Sequence, residues 1–176
     1  MNYYKVTEKQ TPTLFGEDLK TQIRTMKQAS QPIVFLCIGT DRSTGDCLGP
    51  MIGSHLQGIH PNISIYGTLK NPVHALNLSN YLSHIQENYQ NPFLVAIDAC
   101  LGTKEHIGYI TLEQGSLFPG ESIQKTLPCV GDLSITGIVN HARKSNFLVL
   151  QSTRLHLVMQ LAMSISKGIS FALQED

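Results

Sequence analysis

The stretch that decides the fold is IVFLCIGTDRSTGDCLGP, residues 33–50. Its first six residues are apolar without interruption, and a run that is apolar on both faces is typical of a buried parallel strand. The polar loop GTDRSTGD follows, and then LGPMIGSHL, which has the character of a helix. Pro50 is tolerated only in the first turn of a helix, so the helix should begin near Asp46 or Cys47. The order strand, loop, helix predicts the first unit of an α/β sheet.

The same alternation continues outward from this stretch. We predict strands at 64–69, 92–97 and 107–112, helices at 74–89, 134–144 and 153–173, and a long loop at 114–131. Residues 1–31 are predicted to form a loose arm and a helix with Leu19, Ile23 and Met26 on one face, and residues 32–176 a single domain. Together these elements predict a three-layer α/β/α sandwich with a mostly parallel central sheet.

Composition limits the classes of protein to consider. The chain has 176 residues, 41% of them hydrophobic and 15% charged, which suits one globular domain. Its formal net charge of zero argues against a nucleic-acid partner. The start lacks the layout of a signal peptide, and no apolar run approaches the roughly 20 residues that cross a bilayer, so we expect no membrane partner and a cytoplasmic location. The four cysteines form no C-x-x-C pair, and we expect reduced thiols.

The loop after the first strand carries polar groups where ligands bind in open α/β sheets, beyond the carboxyl ends of the strands. It contains neither G-K-[ST] nor G-x-G-x-x-G, so it is neither a P-loop nor a dinucleotide site. Gly39 permits a tight turn and a close backbone approach. We therefore expect Gly39, Thr40 and Asp41 to contact substrate and Asp46 to be catalytic. The alternative role of Asp46 is an N-cap of the following helix.

A second carboxylate, Asp98, ends the apolar strand predicted at 92–97. A carboxylate there is costly unless it is paired, bonded to the following loop or functional. If the strands at 33–38 and 92–97 are neighbours, Asp46 and Asp98 converge on one cleft. Two close carboxylates can share a proton, one acting as a base toward water and the other as an acid. They can also hold a divalent metal ion that activates water, and both schemes indicate hydrolysis.

A third group of residues lies in CVGDLSITGIVN, at 129–140. Asp132 adds another carboxylate, which we expect to be catalytic. The alternative is a glycine-rich turn capped by Asp132 or Ser134. Backbone donors and hydroxyl groups come from Gly131, Ser134, Thr136 and Gly137. Of these, we expect Gly131, Thr136 and Gly137 to bind substrate. His74 opens a helix just after a strand, so we expect it to face the cleft and bind substrate. The absence of H-E-x-x-H and G-x-S-x-G excludes the usual zinc protease and the serine hydrolase of the α/β type.

Five segments carry a resemblance to a known family. They are FLCIGTDRSTGDCLGP, YGTLKNPVHALNL, FLVAIDACLG, VGDLSITGIVN and LQSTRLHLVMQLA. The chain resembles the YyaC-type sporulation proteins of spore-forming bacteria, which are often labelled spore proteases. That family is similar, more distantly, to the hydrogenase maturation endopeptidases and the germination protease. Asp46 and Asp98 fall at positions where maturation endopeptidases bind nickel in their target protein. Those enzymes have a third ligand, a His, in the region of residues 128–133, where this chain has none.

The resemblance implies a sporulation-associated endopeptidase that uses Asp46 and Asp98, assisted by Asp132 or His74. We expect it in the cytoplasm of the mother cell or forespore, with a protein or peptide substrate and a homodimer built on an exposed helix face. Whether Asp46 and Asp98 hold a divalent metal ion is a question that the sequence leaves open. The alternatives are a non-catalytic protein that binds a peptide or a partner, and a metal-dependent hydrolase of a small molecule.

Overall fold

A computed structural model describes residues 2–119 and 127–174. Within these residues, six strands and five α-helices follow one another in an order close to alternation. They are β1 (Asn2–Lys5), α1 (Thr11–Met26), β2 (Ile33–Cys37), α2 (Leu48–Ile59), β3 (Ser64–Tyr66), α3 (Leu78–Asn88), β4 (Phe93–Gly102), β5 (Tyr109–Gln114), β6 (Leu133–His141), α4 (Asn146–Gln151) and α5 (Leu155–Ala172). One 3₁₀ turn, Lys104–His106, joins β4 to β5.

The strands form one sheet in the order β1-β5-β6-β4-β2-β3. β3, β2, β4 and β6 are parallel, whereas β5 runs antiparallel to both β6 and β1. β2 lies between two parallel neighbours, which explains why its sequence is apolar on both faces. β2 and β4 are adjacent, as the convergence of Asp46 and Asp98 requires.

The two faces of the sheet are covered by separate apolar cores. The larger core joins one face to α1, α2 and α5, and its buried members include Phe35, Leu48, Val95 and Ile165. The smaller core joins the opposite face to α3 and to the segments on either side of residues 120–126. Its members include Val34, Leu36, Ile38, Ala96, Val73, Leu78, Ile85, Leu117 and Val130. The expected three-layer α/β/α sandwich with a mostly parallel sheet is confirmed.

The predicted helix at 134–144 is wrong, because β6 occupies Leu133–His141. Its side chains alternate between faces: Leu133 and Ile135 join the larger core, while Thr136 bonds to Thr111 on the other side of the sheet. Pairing with β4 and β5 overrides the glycine that suggested a turn. A β-carbon on Gly137 would lie 2.4 Å from Leu48 Cδ2, so glycine here allows α2 to approach β6 closely.

The amino-terminal segment differs from the loose arm that we predicted. Residues Asn2–Lys5 form the edge strand β1, paired with β5. The side chains of Asn2 and Tyr4 both donate to the Asp18 carboxylate on α1, which fastens the strand to the helix. α1 itself is confirmed, with Leu19 and Ile23 buried. These residues therefore complete the sheet and core of the same domain.

Other predictions need adjusted bounds. The helix at 153–173 is confirmed as α5, and the short helix α4 precedes it. The strand at 92–97 runs on through Asp98 to Gly102. Of the predicted loop at 114–131, residues 120–126 lie outside the described part of the chain, and Leu117 bridges to Val130 across that gap. No described helix is both long and apolar enough to cross a membrane.

Candidate active site

Asp46 and Asp98 lie at the carboxyl edge of neighbouring parallel strands. Asp46 is in the loop between β2 and α2, and Asp98 follows the last β2–β4 pair, Cys37 with Ile97. Both line a single cavity of about 750 Å³. The structure therefore brings together the two carboxylates that the sequence placed after two strands.

Backbone geometry holds Asp46 in place. Gly39 has a φ of +143°, and a β-carbon on it would lie 2.0 Å from the Asp46 carbonyl oxygen. The Thr40 N–H donates to that same oxygen at 3.1 Å. α2 begins at Leu48, with Cys47 as the preceding cap residue and no side-chain capping bond, so Asp46 is not an N-cap. Within the described residues, no group hydrogen-bonds to the Asp46 carboxylate, which leaves it available to a ligand.

Burial controls the protonation of both groups. Burial raises the pKa of Asp46 to about 6. The pKa of Asp98 lies well above its usual range, first because of burial and second because of the negative charge of Asp46, with an opposing contribution from the Ala99 N–H. That N–H donates to Asp98 Oδ1 at 2.7 Å. Because the two negative charges oppose each other in a desolvated place, the pair favours a state that carries one proton and one negative charge.

The floor of the cavity is a polar part of the sheet. Asp98, Cys100 and Thr136 all line it. The Cys100 thiol donates to Thr136 Oγ1 at 3.3 Å, and Thr136 is 2.6 Å from Thr111 Oγ1. On this face, the described apolar core gathers around α3 and the strands β2 and β4. β4 and β6 therefore present the Asp98 carboxyl group, the Cys100 thiol and the Thr136 hydroxyl group to the cavity.

Four further residues that we predicted to bind substrate line the same cavity. They are Gly39, Thr40, Asp41 and His74. The ring of His74 accepts the Leu76 N–H at Nδ1 over 3.3 Å. In its neutral form the ring therefore carries its hydrogen on Nε2, which makes His74 a hydrogen-bond donor.

The structure does not bring Asp132, Gly131 or Gly137 to the cavity. Asp132 precedes β6 at the amino end of the sheet, where its Oδ2 accepts the Leu94 N–H at 2.8 Å. Leu94 is four residues before Asp98 on β4, a separation of about 13 Å along a strand. Gly131 turns the chain with a φ of +101°, and Gly137 packs beneath Leu48. The placement of Asp132 beside the other carboxylates was wrong because β6 is a strand that begins at the far end of the sheet.

Sequence reasoning missed the apolar rim of the cavity. Four large side chains on separate segments line it and stay exposed: Leu69, Leu76, Phe118 and Phe147 are 43%, 77%, 67% and 50% exposed. Arg42 and Lys70 add positive charge among the lining residues. The sequence signal that could have revealed this rim is the presence of large apolar residues inside polar loops, such as Phe118 in the predicted loop at 114–131.

The donor set limits the metal ions that the cavity suits. Among the described residues, no three His, Cys, Asp or Glu side chains gather closely enough to hold a metal ion. Asp46 and Asp98 together offer only carboxylate oxygens. Two such ligands suit a hydrated hard cation such as Mg²⁺, which keeps several of its waters, and do not complete a zinc site.

Comparison with known proteins gives the family. A family model described as "Protein of unknown function (DUF1256)" matches residues 3–168. The chain belongs to the DUF1256 family. It is 45% identical over 163 residues to "Uncharacterized protein YyaC" of Bacillus subtilis (strain 168), covering 92% of this chain and 77% of that protein. The resemblance to YyaC-type proteins is therefore confirmed.

A solved structure is similar to this DUF1256 chain at greater distance. It is the [NiFe] hydrogenase maturation protease HycI from Thermococcus kodakarensis KOD1, with 13% identity and a TM-score of 0.42 over 82% of this chain and 98% of that one. At this identity and TM-score, the likeness gives no ground for transferring an activity.

Proposed function

We propose that this protein is an endopeptidase in which Asp46 and Asp98 activate a water molecule for attack on a peptide bond. The observation that carries the proposal is that two carboxylates, one from the loop after β2 and one from the adjacent strand β4, line one cavity. The cavity volume of about 750 Å³ falls in the usual range of ligand sites. The Asp46 carboxylate faces it without a hydrogen-bond partner among the described residues, so a bound water is a natural partner.

The proposed chemistry uses the one proton and the one negative charge that the pair holds, with Asp46 as the base and Asp98 as the acid. Ionised Asp46 accepts a proton from water as the water oxygen bonds to the carbonyl carbon of the substrate. Asp98 donates its proton to the carbonyl oxygen, which avoids a free oxyanion. The product of this step is a tetrahedral intermediate with two hydroxyl groups on the former carbonyl carbon. When its carbon–nitrogen bond breaks, the proton on Asp46 moves to the leaving nitrogen, and Asp98 recovers a proton from one of the two hydroxyl groups. Both carboxyl groups then have their starting protonation.

The rim favours a peptide over a small polar substrate. Exposed apolar side chains at Leu69, Leu76, Phe118 and Phe147 suit the side chains of a polypeptide. Arg42 and Lys70 lie among them and suit acidic groups near the cleaved bond. The expected setting is the cytoplasm of the mother cell or forespore, as the resemblance to YyaC-type sporulation proteins implies.

The same rim favours a second candidate, a protein that binds a peptide without cleaving it. Against this candidate stands the cost of keeping two desolvated carboxyl groups close together. A binding surface gains nothing from that arrangement, whereas general acid–base chemistry depends on it. The two candidates therefore differ in their response to substitution of Asp46 or Asp98, because only the endopeptidase loses its activity when a carboxylate is removed.

The test uses the purified protein and a synthetic library of end-blocked random tetradecapeptides, with products identified by mass spectrometry. We expect defined internal cleavages with the unmodified protein and none with Asp98→Asn. The matched control is Glu87→Gln, which removes an exposed carboxylate from α3, remote from the cavity lining. Parallel reactions with EDTA or Mg²⁺ test the metal. Cleavage that survives in Asp98→Asn at the level of the control would contradict the proposal.

In sporulating cells, the same pair of variants can identify the natural substrate. Mass spectrometry of protein N-termini should show a defined set of new termini with the wild type and Glu87→Gln. Cells that carry Asp98→Asn at equal protein level should lack them. Identical sets in all three strains would favour the binding-protein candidate.

A further inference from the structure

β4 is longer than its neighbour β2, and the excess length borders the cavity. The ladder between them ends at the pair Cys37–Ile97. The last main-chain bond across it runs from the Ile38 N–H to the Ile97 carbonyl at 2.7 Å. The chain then turns away at Gly39, whereas β4 continues to Gly102, paired with β6. Beyond Ile97, the edge of β4 that faced β2 has no paired strand in the part of the chain that the structure describes.

The direction of the main-chain groups follows from strand alternation. The Ile97 carbonyl points toward β2, and the Gly102 carbonyl points the opposite way, since it accepts the Ala142 N–H at 3.1 Å. Successive residues of a strand direct their N–H and C=O groups to opposite sides. The Ala99 carbonyl and the Leu101 N–H therefore point toward the side where β2 has ended.

This edge of β4 lies beside the two carboxylates. Ala99, Cys100 and Leu101 line the same cavity as Asp46 and Asp98. An unpaired strand edge offers donors and acceptors to another chain, and addition of a peptide as an extra strand is a recurring mode of recognition. The Ala99 N–H is already bonded to Asp98 Oδ1 at 2.7 Å. Within residues 2–119 and 127–174, no loop or side-chain group bonds to the Ala99 carbonyl or the Leu101 N–H, so both can serve such a partner.

We infer that the substrate binds as an extended segment parallel to β4, in the line that β2 would have followed beyond Gly39. One substrate residue lies opposite Cys100, where its N–H donates to the Ala99 carbonyl and its C=O accepts from the Leu101 N–H. This is the bonding of an ordinary parallel ladder, continued by one residue from another chain. The inference rests on the peptide substrate of the proposed function and adds how that peptide is held beside Asp98.

Strand geometry predicts which substrate residue forms the hydrogen bonds to β4. Only one substrate residue gives its N–H to β4, while the N–H groups of its two neighbours point away. Proline at the anchored position lacks the donor, so it should be excluded there and accepted on either side. The anchored side chain shares the face of Cys100, toward the apolar walls at Leu76 and Leu117.

The first experiment maps the hydrogen bond on the peptide. The probe is the library peptide most strongly retained by immobilised Asp98→Asn protein, chosen without regard to cleavage. Each residue of the probe is N-methylated in turn, and Kd is measured for every analogue. We expect one position to weaken binding at least tenfold, with less than threefold changes at the residues on either side. Equal tolerance at all positions, equal loss at all positions, or retention of no peptide would overturn the inference.

The second experiment examines the protein side of the same bond. Leu101→Pro removes the donor, and Leu101→Ala removes the side chain while keeping the N–H, so the Kd of the proline variant should exceed that of the alanine variant at least tenfold. If the proline variant does not fold, amide hydrogen exchange in Asp98→Asn protein decides. Saturation with the probe should slow exchange at Leu101 at least tenfold, and an unchanged rate would overturn the inference.

The outcomes separate this inference from the proposed function. Protection of Leu101 without cleavage of any library peptide would keep the strand-like docking and refute the endopeptidase. Cleavage together with a flat N-methyl scan would keep the endopeptidase and refute the docking.

Discussion

Asp98 lies in β4 and Asp132 directly precedes the neighbouring strand β6, yet the two aspartates have different environments. Asp98 is at the carboxyl half of β4, inside the cavity, and its pKa is raised by burial and by Asp46. Asp132 precedes β6 at the amino end of the sheet, exposed to solvent, where it accepts the Leu94 N–H. Ligand sites of parallel sheets form at the carboxyl ends of the strands. Strand direction thus separates an aspartate suited to chemistry from one suited to structure.

The largest difference expected between them is in catalysis. Asp98→Asn should lower kcat/KM on a cleaved library peptide by at least about 100-fold, in the range of general acid–base contributions. The amide keeps the shape of the carboxyl group and cannot exchange the proton. Steady-state cleavage assays measure this effect. A loss smaller than about threefold would place the chemistry elsewhere.

The second difference concerns pH. Asp46 must be ionised to accept a proton from water, and its pKa is about 6. We therefore expect kcat/KM to fall as the pH decreases through about 6, approaching tenfold per pH unit below it. The profile should keep this limb in Asp132→Asn protein. A wild-type profile that is flat between pH 5 and 7 would contradict the assignment of Asp46 as the base.

The third difference concerns stability. The folded-state pKa of Asp46 is raised from 3.8 to about 6, so this group favours folding below pH 4 and that contribution is lost as the pH rises through 6. Asp46→Asn should therefore raise the free energy of unfolding at pH 7 by roughly 1 to 3 kcal/mol, and the gain should shrink toward pH 4. Urea unfolding at both pH values measures it. A loss of stability at pH 7 would contradict this prediction, because it would show that the folded protein stabilises the ionised Asp46 carboxylate.

The smallest effect is expected at Asp132. Asp132→Asn keeps an oxygen that accepts the Leu94 N–H and removes only its charge, so unfolding should become easier by at most about 1 kcal/mol. Because the residue lies outside the cavity, kcat/KM should stay within about twofold of the wild type. The same urea titrations and cleavage assays apply. A loss as large as that of Asp98→Asn would restore our original placement of Asp132 in the catalytic group.

Local sequence was informative where one pattern excluded its competitors. The apolar run at 33–38 has no polar face, so it predicts a central strand, and Asp98 stands out because it ends a similar run. The segment at 134–144 was ambiguous, because glycine, serine and threonine there also suit a turn and a short helix. Its pairing with β4 and β5, which are distant in sequence, decided the outcome.

The sequence by itself determined the α/β class, the central strands β2 and β4, and the nomination of Asp46 and Asp98, because apolar runs and the residues that end them are local signals. The tertiary structure alone decided the strand order, the exclusion of Asp132, the apolar rim and the open edge of β4 at Ala99–Leu101. Each of these depends on contacts between segments far apart in the chain. These features follow from the relative lengths and directions of the strands, which no short stretch of sequence encodes.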